Sequence, residues 1–209
     1  MRNRSENQIT LVMIRHGETK ANREHRYLGR TEEELSEEGK KGLYQNREQA
    51  RYPRIDSLFS SPMKRCVQTA EILYPSLQPL QIAEWREMDF GRFEGKNYEE
   101  LRFDQDYQAW IDSNGTLPFP NGESRADFIL RCEQGFWKML ERIRQMEERI
   151  KPKTVGMVVH GGTIMALLSR YCGGDYFDYQ VANGEGYLCK FESPNGRTDR
   201  IEMIELRKI

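Results

Sequence analysis

The chain has 209 residues, 37% of them hydrophobic, with 32 Lys plus Arg against 33 Asp plus Glu and a formal net charge of -1. A balance this even offers no field to attract a nucleic acid or a membrane surface, and any selection of anions has to be local. No stretch approaches the roughly 18 apolar residues that cross a bilayer, and the opening "MRNRSENQIT" lacks the apolar stretch of a signal peptide, so the cytoplasm is the expected location. Cys66, Cys132, Cys172 and Cys189 form no C-x-x-C pair. They are expected to be small core residues, not a zinc site or a disulfide framework.

In chain order, residues 9–14 (ITLVMI) read as a buried strand that holds its first charge back to Arg15. Residues 17–35 are polar, contain Gly17 and Gly29, and read as a loop. A helix is predicted over 36–52, with Ser36 as its cap and Glu37 and Glu38 at the positive end of its dipole. Residues 55–61 (IDSLFSS) form the next strand. The helix after it is predicted with Ser61 as cap, Pro62 at its first position and Met63, Val67, Ala70 and Leu73 along one face.

Further on, 80–85 (LQIAEW) is predicted as a strand, 98–111 as helix and 113–124 as a loop rich in turn residues. The longest helix is predicted from Ser124, with Asp127 completing a capping box. Its apolar side, Phe128, Cys132, Phe136, Met139, Leu140, Ile143 and Met146, is spaced by threes and fours, and Pro152 marks its end. Residues 154–159 (TVGMVV) read as a buried strand, 163–172 as a helix, and "GYLCKFE" and "RIEMIEL" as closing strands. Alternating strands and helices predict an α/β three-layer sandwich: a mostly parallel sheet with helices on both faces. One domain over 1–209 is expected, with 85–122 as an excursion capping the active site.

Ligands in open α/β sheets bind beyond the carboxyl ends of the strands. Two of the three histidines stand at such ends, His16 in "LVMIRHGET" and His160 in "VGMVVHGG", and Arg65 sits where another strand hands over to a helix. If these strands are neighbours, His16, His160, Arg15 and Arg65 converge. Arginine forks match phosphate oxygens, and Gly161 and Gly162 let a ligand approach the backbone at a helix start. A histidine among arginines is held neutral, and a neutral imidazole is a nucleophile towards phosphorus. No metal or other cofactor is then required, and a small phosphorylated metabolite is the expected partner, with no nucleic acid and no membrane.

Taken together, "RHGET" followed by Asn22, "SSPMKRCVQTA", "EMDFGRFEG" and "VVHGG" resemble, in order, the motifs of the histidine phosphatase superfamily, also called the phosphoglycerate mutase-like fold. The resemblance covers most of the chain and is nearest to the small phosphatase branch that includes α-ribazole phosphatase. It implies His16 as nucleophile, Arg15, Arg65 and Asn22 around the phosphate, His160 as the second histidine, and Glu87 as the acid that protonates the leaving oxygen and later activates water. Glu84 is the rival for that last role, with Glu87 preferred by its spacing to Gly91. Two departures stand out: "TEEEL" after Arg30 makes that loop unusually acidic, and "NGEGYLC" precedes the penultimate strand.

The reaction implied is hydrolysis of a phosphomonoester, the candidate substrates being α-ribazole-5′-phosphate or a sugar phosphate. The alternatives are phosphoryl transfer of the phosphoglycerate mutase type and a phosphate-binding protein without catalysis. Hydrolysis is preferred because 97–124 is short and acidic, with Arg102 as its only arginine, where a mutase would carry cations for a sugar acid. Trp85, Phe90, Phe93, Tyr98, Tyr107 and Trp110 are candidates for an aromatic wall, with ordinary packing as the default for each. His25, in a charged loop, is expected at the rim, and Lys64 in solvent.

Overall fold

The computed structural model describes residues 8–146, 151–192 and 202–209. Its sheet has six strands in the order β3-β2-β4-β1-β5-β6. These are β1 (Gln8–Arg15), β2 (Ser57–Ser60), β3 (Leu80–Gln81), β4 (Thr154–Val159), β5 (Gly186–Glu192) and β6 (Glu202–Lys208). β1, β4, β2 and β3 pair in parallel, whereas β5 and β6 are added antiparallel. This is the predicted α/β sandwich with a largely parallel sheet.

Successive side chains of a strand point to opposite faces, and β1 uses both. Leu11 and Met13 pack towards α6 (Arg125–Arg144) and α7 (Gly161–Cys172), the largest apolar cluster. Val12 and Ile14 face Leu43 of α2 (Glu37–Glu48) and Ile72 and Leu73 of α3 (Lys64–Leu73). Gly186, opposite Ile14, leaves room for that pairing, because a Cβ there would collide with the Met13 carbonyl oxygen. Cys66, Cys132 and Cys189 are buried and Cys172 is half-buried, all as free thiols.

Most predicted elements are present, with instructive shifts. Helix α2 begins after Ser36, whose Oγ accepts from Gly39 N, but ends at Glu48. α3 starts later than expected, after Met63, with no cap from its own N-cap side chain. Ser61 Oγ accepts from Met63 N at 3.4 Å and is within hydrogen-bond distance of His160, and the Glu32 carboxylate accepts from Lys64 N at 2.9 Å. The unusually acidic loop therefore caps a helix from across the fold, which periodicity along α3 could not show. Cys66, not Val67, completes the buried side of α3.

Of 80–85, only Leu80–Gln81 pairs as strand; Ala83–Trp85 is a 3-10 turn that buries Trp85. The predicted helix over 98–111 is two short ones, α4 (Tyr98–Leu101) and α5 (Gln105–Asp112), because Asp104 caps the amides of Asp106 and Tyr107 and restarts the chain. A four-residue helix α1 (Lys20–Arg23) interrupts the first loop. Ser124 accepts from Asp127 N as expected, but the Asp127 carboxylate takes the Ser124 hydroxyl instead of returning to its backbone, so the capping box is incomplete. β6 lies two residues later than "RIEMIEL", whose residues 200 and 201 lie outside the described residues, as does most of "MRNRSENQIT". Among the described residues, no helix is long and apolar enough to cross a membrane.

The core assignment makes a direct prediction. Phe136, 1% exposed, packs its ring on Tyr171 and Phe191, whereas Phe103 is 84% exposed. In urea unfolding, Phe136→Ala is expected to cost about 3–5 kcal/mol, and Phe103→Ala within about 0.5 kcal/mol.

Candidate active site

The parallel register that matches Arg15 with Val159 makes β1 and β4 end side by side, and His16 N donates to Val159 O at 2.9 Å. The next residues, His16 and His160, therefore meet at one sheet edge, their ring centroids 5.2 Å apart and their planes at 70°. Both are buried. Burial first, then the charges of Arg65 and Arg15, holds His16 well below the ordinary imidazole pKa; burial and Arg65 do the same to His160.

His16 Nδ1 lies 2.7 Å from Gly17 O. A carbonyl only accepts, so Nδ1 carries the hydrogen, and in the neutral ring the lone pair is left on Nε2. The loop making this bond is tied down on both sides. Gly17 N donates to Thr69 Oγ1, which itself donates to Arg65 O, and Asn183 Nδ2 lies 3.1 Å from His16 O and 3.3 Å from Gly17 O. Asn183 also donates to Asn22 Oδ1, which accepts from Thr19 N as well, so the Asn22 side-chain oxygen braces the histidine loop. His160 Nε2 lies 2.8 Å from Ser61 Oγ.

Arg65 is fully buried and forms no ion pair with a described residue. Its guanidinium donates to Gly29 O at 2.8 Å and Thr31 O at 3.0 Å, and the Glu94 carboxylate grips the amides of Gly29 and Thr31 from the other side. Arg15 Nη1 donates to Val181 O. The Nε atoms of both arginines are buried without a partner. Two unsatisfied cationic donors beside two neutral histidines make a receptor for an anion.

Glu87 is buried, with Oε2 at 3.8 Å from His160 Nδ1 and Oε1 accepting from Met88 N. Burial raises its pKa above the ordinary carboxyl value, against the pull of that amide and of Arg65, Arg15 and Arg131. Glu84, its rival, is ion-paired with Lys138, which pulls its pKa down against a burial that would raise it. The structure thus places Glu87 beside the histidines and Glu84 in a different contact. Arg131 of α6 holds the Glu87 segment: it donates to the carbonyls of Glu84, Arg86 and Glu87 and forks onto Glu123. That accounts for all five donors of a guanidinium.

Of the two glycines at the start of α7, Gly162 is the one with no room: a Cβ there would lie 2.7 Å from Glu87 Oε1 and 3.1 Å from Phe128. At Gly161 a Cβ would meet Arg15 at an ordinary 3.5 Å. Arg15, Glu87 and both glycines line a pocket of about 300 Å³. Of the six aromatic candidates, Phe90 and Trp110 line it, while Trp85, Phe93 and Tyr107 are core and Tyr98 is exposed. Tyr27, Phe119, Tyr176 and Phe177 complete the wall from segments with no local signal of that role. His25 is exposed, as is Lys64. Ser61, Thr69, Arg131 and Asn183 also went unmarked as site residues; only the departure at "NGEGYLC" pointed near one of them. Among the described residues, no group of three or more His, Cys, Asp and Glu is placed to hold a metal ion.

The chain is 30% identical to phosphoserine phosphatase 1 of Hydrogenobacter thermophilus over 171 residues, 80% of this chain and 78% of that one. Its fold superimposes on α-ribazole phosphatase from Shigella flexneri with a TM-score of 0.74 at 23% identity, covering 95% and 96% of the two chains. Phosphoglycerate mutase from Thermus thermophilus superimposes with a TM-score of 0.64 at 28% identity, covering 95% and 98%. The sequence pattern of the histidine phosphatase superfamily (branch 1) runs through residues 11–202, from the first core strand to the last, and the chain belongs to that superfamily.

Proposed function

We propose that this chain hydrolyses phosphomonoesters through a phosphohistidine intermediate. The observation that carries the reading is the bond from His16 Nδ1 to Gly17 O, which leaves the Nε2 lone pair beside two arginines with unpaired Nε donors. His16 Nε2 attacks phosphorus, the bond to the leaving oxygen breaks, and that oxygen takes the proton of Glu87. Water then attacks the phosphohistidine and gives a proton to the Glu87 carboxylate. The P–N bond breaks and returns the lone pair to His16, with orthophosphate as product. Arg15, Arg65 and His160 surround the charge on the equatorial oxygens. Residues 85–122 cover this site as part of the same domain.

Hydrolysis is favoured over mutase-type transfer by the charges in the pocket. Beyond Arg15 and Glu87 its lining offers one further charged group, Arg125, where a sugar acid passing through a bisphosphate would need several cations. The substrates named for the relatives, phosphoserine and α-ribazole phosphate, and sugar phosphates are the candidates this reading carries forward. The partner is a small phosphorylated metabolite.

His16→Ala is expected to lower phosphate release from p-nitrophenyl phosphate by about 10³-fold or more. Acid quench of the wild type with radiolabelled substrate should trap label on His16, and wild-type activity in the variant would sink the mechanism. A second expectation concerns pH. Glu87 acts first as an acid, and its pKa is raised, so kcat/KM for an alkyl phosphate should fall only as pH climbs above the ordinary carboxyl range. Glu87→Gln should flatten that alkaline limb, while His16, neutral well below pH 6.5, adds no acidic limb near neutrality. Third, EDTA should leave activity intact, and vanadate, a mimic of five-coordinate phosphorus, should inhibit it. Loss of activity in EDTA, restored by a divalent metal, would count against a histidine nucleophile working alone.

A further inference from the structure

The pocket is built for more than a phosphoryl group. At about 300 Å³ it reaches the size of a small-molecule site, and its wall is aromatic. Tyr27 and Phe90 meet at 5.1 Å between centroids, Phe90 and Phe119 at 5.0 Å, and Phe119 and Trp110 at 4.9 Å. These rings come from separate segments and lock one another edge to face or tilted, a rigid surface that costs little entropy to bind against. Gly115 lets the chain pass close to the indole, because a Cβ there would lie 3.1 Å from the Trp110 ring. Trp110 Nε1 is buried without a hydrogen-bond partner.

The polar lining is sparse. Besides the phosphate-side pair Arg15 and Glu87, the charged lining consists of Arg125 alone. A substrate ammonium, as in a phosphorylated amino acid, would find no carboxylate there other than Glu87. A polyol would face rings and a single side-chain amide, Gln180. Both would exchange many hydrogen bonds to water for few in the pocket, whose open donors are Trp110 Nε1 and Arg125.

Arg30, Arg92 and Arg131 each pair with a carboxylate. Arg125 pairs with none among the described residues; its guanidinium lies 5.5 Å and 5.6 Å from the centroids of Tyr176 and Phe177 and makes one hydrogen bond, to Asn114 O at 3.2 Å. Most of its donors are therefore unspent, on a support that holds the group in place.

We propose that this pocket selects phosphomonoesters whose alcohol carries an aromatic ring, the ring packing on Phe90, Trp110 and Phe119 and an anionic ring substituent reaching Arg125. The proposal rests on the phosphatase reading and adds the substrate class to it. Ring and anion are recognised by different residues, so the two preferences are separable.

The test compares kcat/KM for ethyl phosphate, O-phosphoserine, benzyl phosphate and 4-carboxybenzyl phosphate, with p-nitrophenyl phosphate as activity control. All four test esters release alkyl alcohols, so a preference among them does not come from the intrinsic reactivity of aryl esters. Benzyl phosphate is expected to exceed ethyl phosphate and phosphoserine by about tenfold or more. The 4-carboxy ester should exceed benzyl phosphate by about fivefold, the size of a partly exposed charged contact. Arg125→Gln should erase the second margin, and Trp110→Ala should shrink the first; Phe90→Leu, a milder change, serves if the tryptophan variant fails to fold. Equal or faster turnover of phosphoserine or ethyl phosphate by the wild type would overturn the ring preference. A carboxylate margin that is absent, or that survives Arg125→Gln, would overturn the role of Arg125. If p-nitrophenyl phosphate is hydrolysed and the ratios stay near one, this inference falls while the phosphatase reading stands. If no ester is hydrolysed, the phosphatase reading falls and takes the inference with it.

Discussion

Everything at the site depends on one pairing, the parallel register of β1 against β4 that sets Arg15 opposite Val159. Parallel strands carry residues of equal register to the same end of the sheet, so a slip of one residue would part His16 from His160 and turn every β1 side chain to the wrong face. Such a slip is opposed on both layers, because Leu11 and Met13 are committed to one core and Val12 and Ile14 to the other. The apolar run before Arg15 is thus what holds His16 at the level of His160.

The second constraint is the treatment of charge. Arg65 is removed from water with backbone carbonyls in place of a carboxylate. An ion pair there would satisfy the guanidinium and compete with an incoming anion. Carbonyl dipoles hold it in position and leave its charge available. The cost is shifted to the loop 28–31, which Glu94 and Glu32 fasten by its amides and to the start of α3. The same device recurs at Glu87. Arg131 and Glu123 grip the backbone around Glu87, leaving the carboxyl itself to burial, which keeps a proton on it to higher pH.

The segment between β3 and α6 is where the pocket acquires its character. Two short helices and two loops, too brief to hold a shape alone, are ordered by a shared cluster of rings and by the contacts of Asp89 and Pro120 with the turns on either side. The phosphate end of the pocket is polar and tied to the sheet; the far end is aromatic and tied to this segment. Arg15, His16 and His160 are held at the sheet edge, whereas Glu87 and the rings of Phe90, Trp110 and Phe119 belong to this segment.

The amino-acid sequence by itself determined the alternation of strand and helix, the two histidines at strand ends, and the ordered motifs that carry the family. Those signals are local: an apolar run, a cap at Ser36 or Ser124, a histidine followed by glycines. What tertiary structure alone decided is who meets whom across the fold. Ser61 reads as a helix cap and also lies beside His160; the Asn22 side-chain oxygen ties a loop to Asn183; of the two glycines that open α7 the tighter is Gly162. Glu84 and Glu87 stand three residues apart; spacing to Gly91 prefers Glu87, and the fold separates them further by burying Glu87 beside His160 and pairing Glu84 with Lys138. Of the six rings weighed between a wall and ordinary packing, Phe90 and Trp110 line the pocket. Whether a ring is core or lining depends on which distant segment covers it, and spacing along one helix carries no record of that.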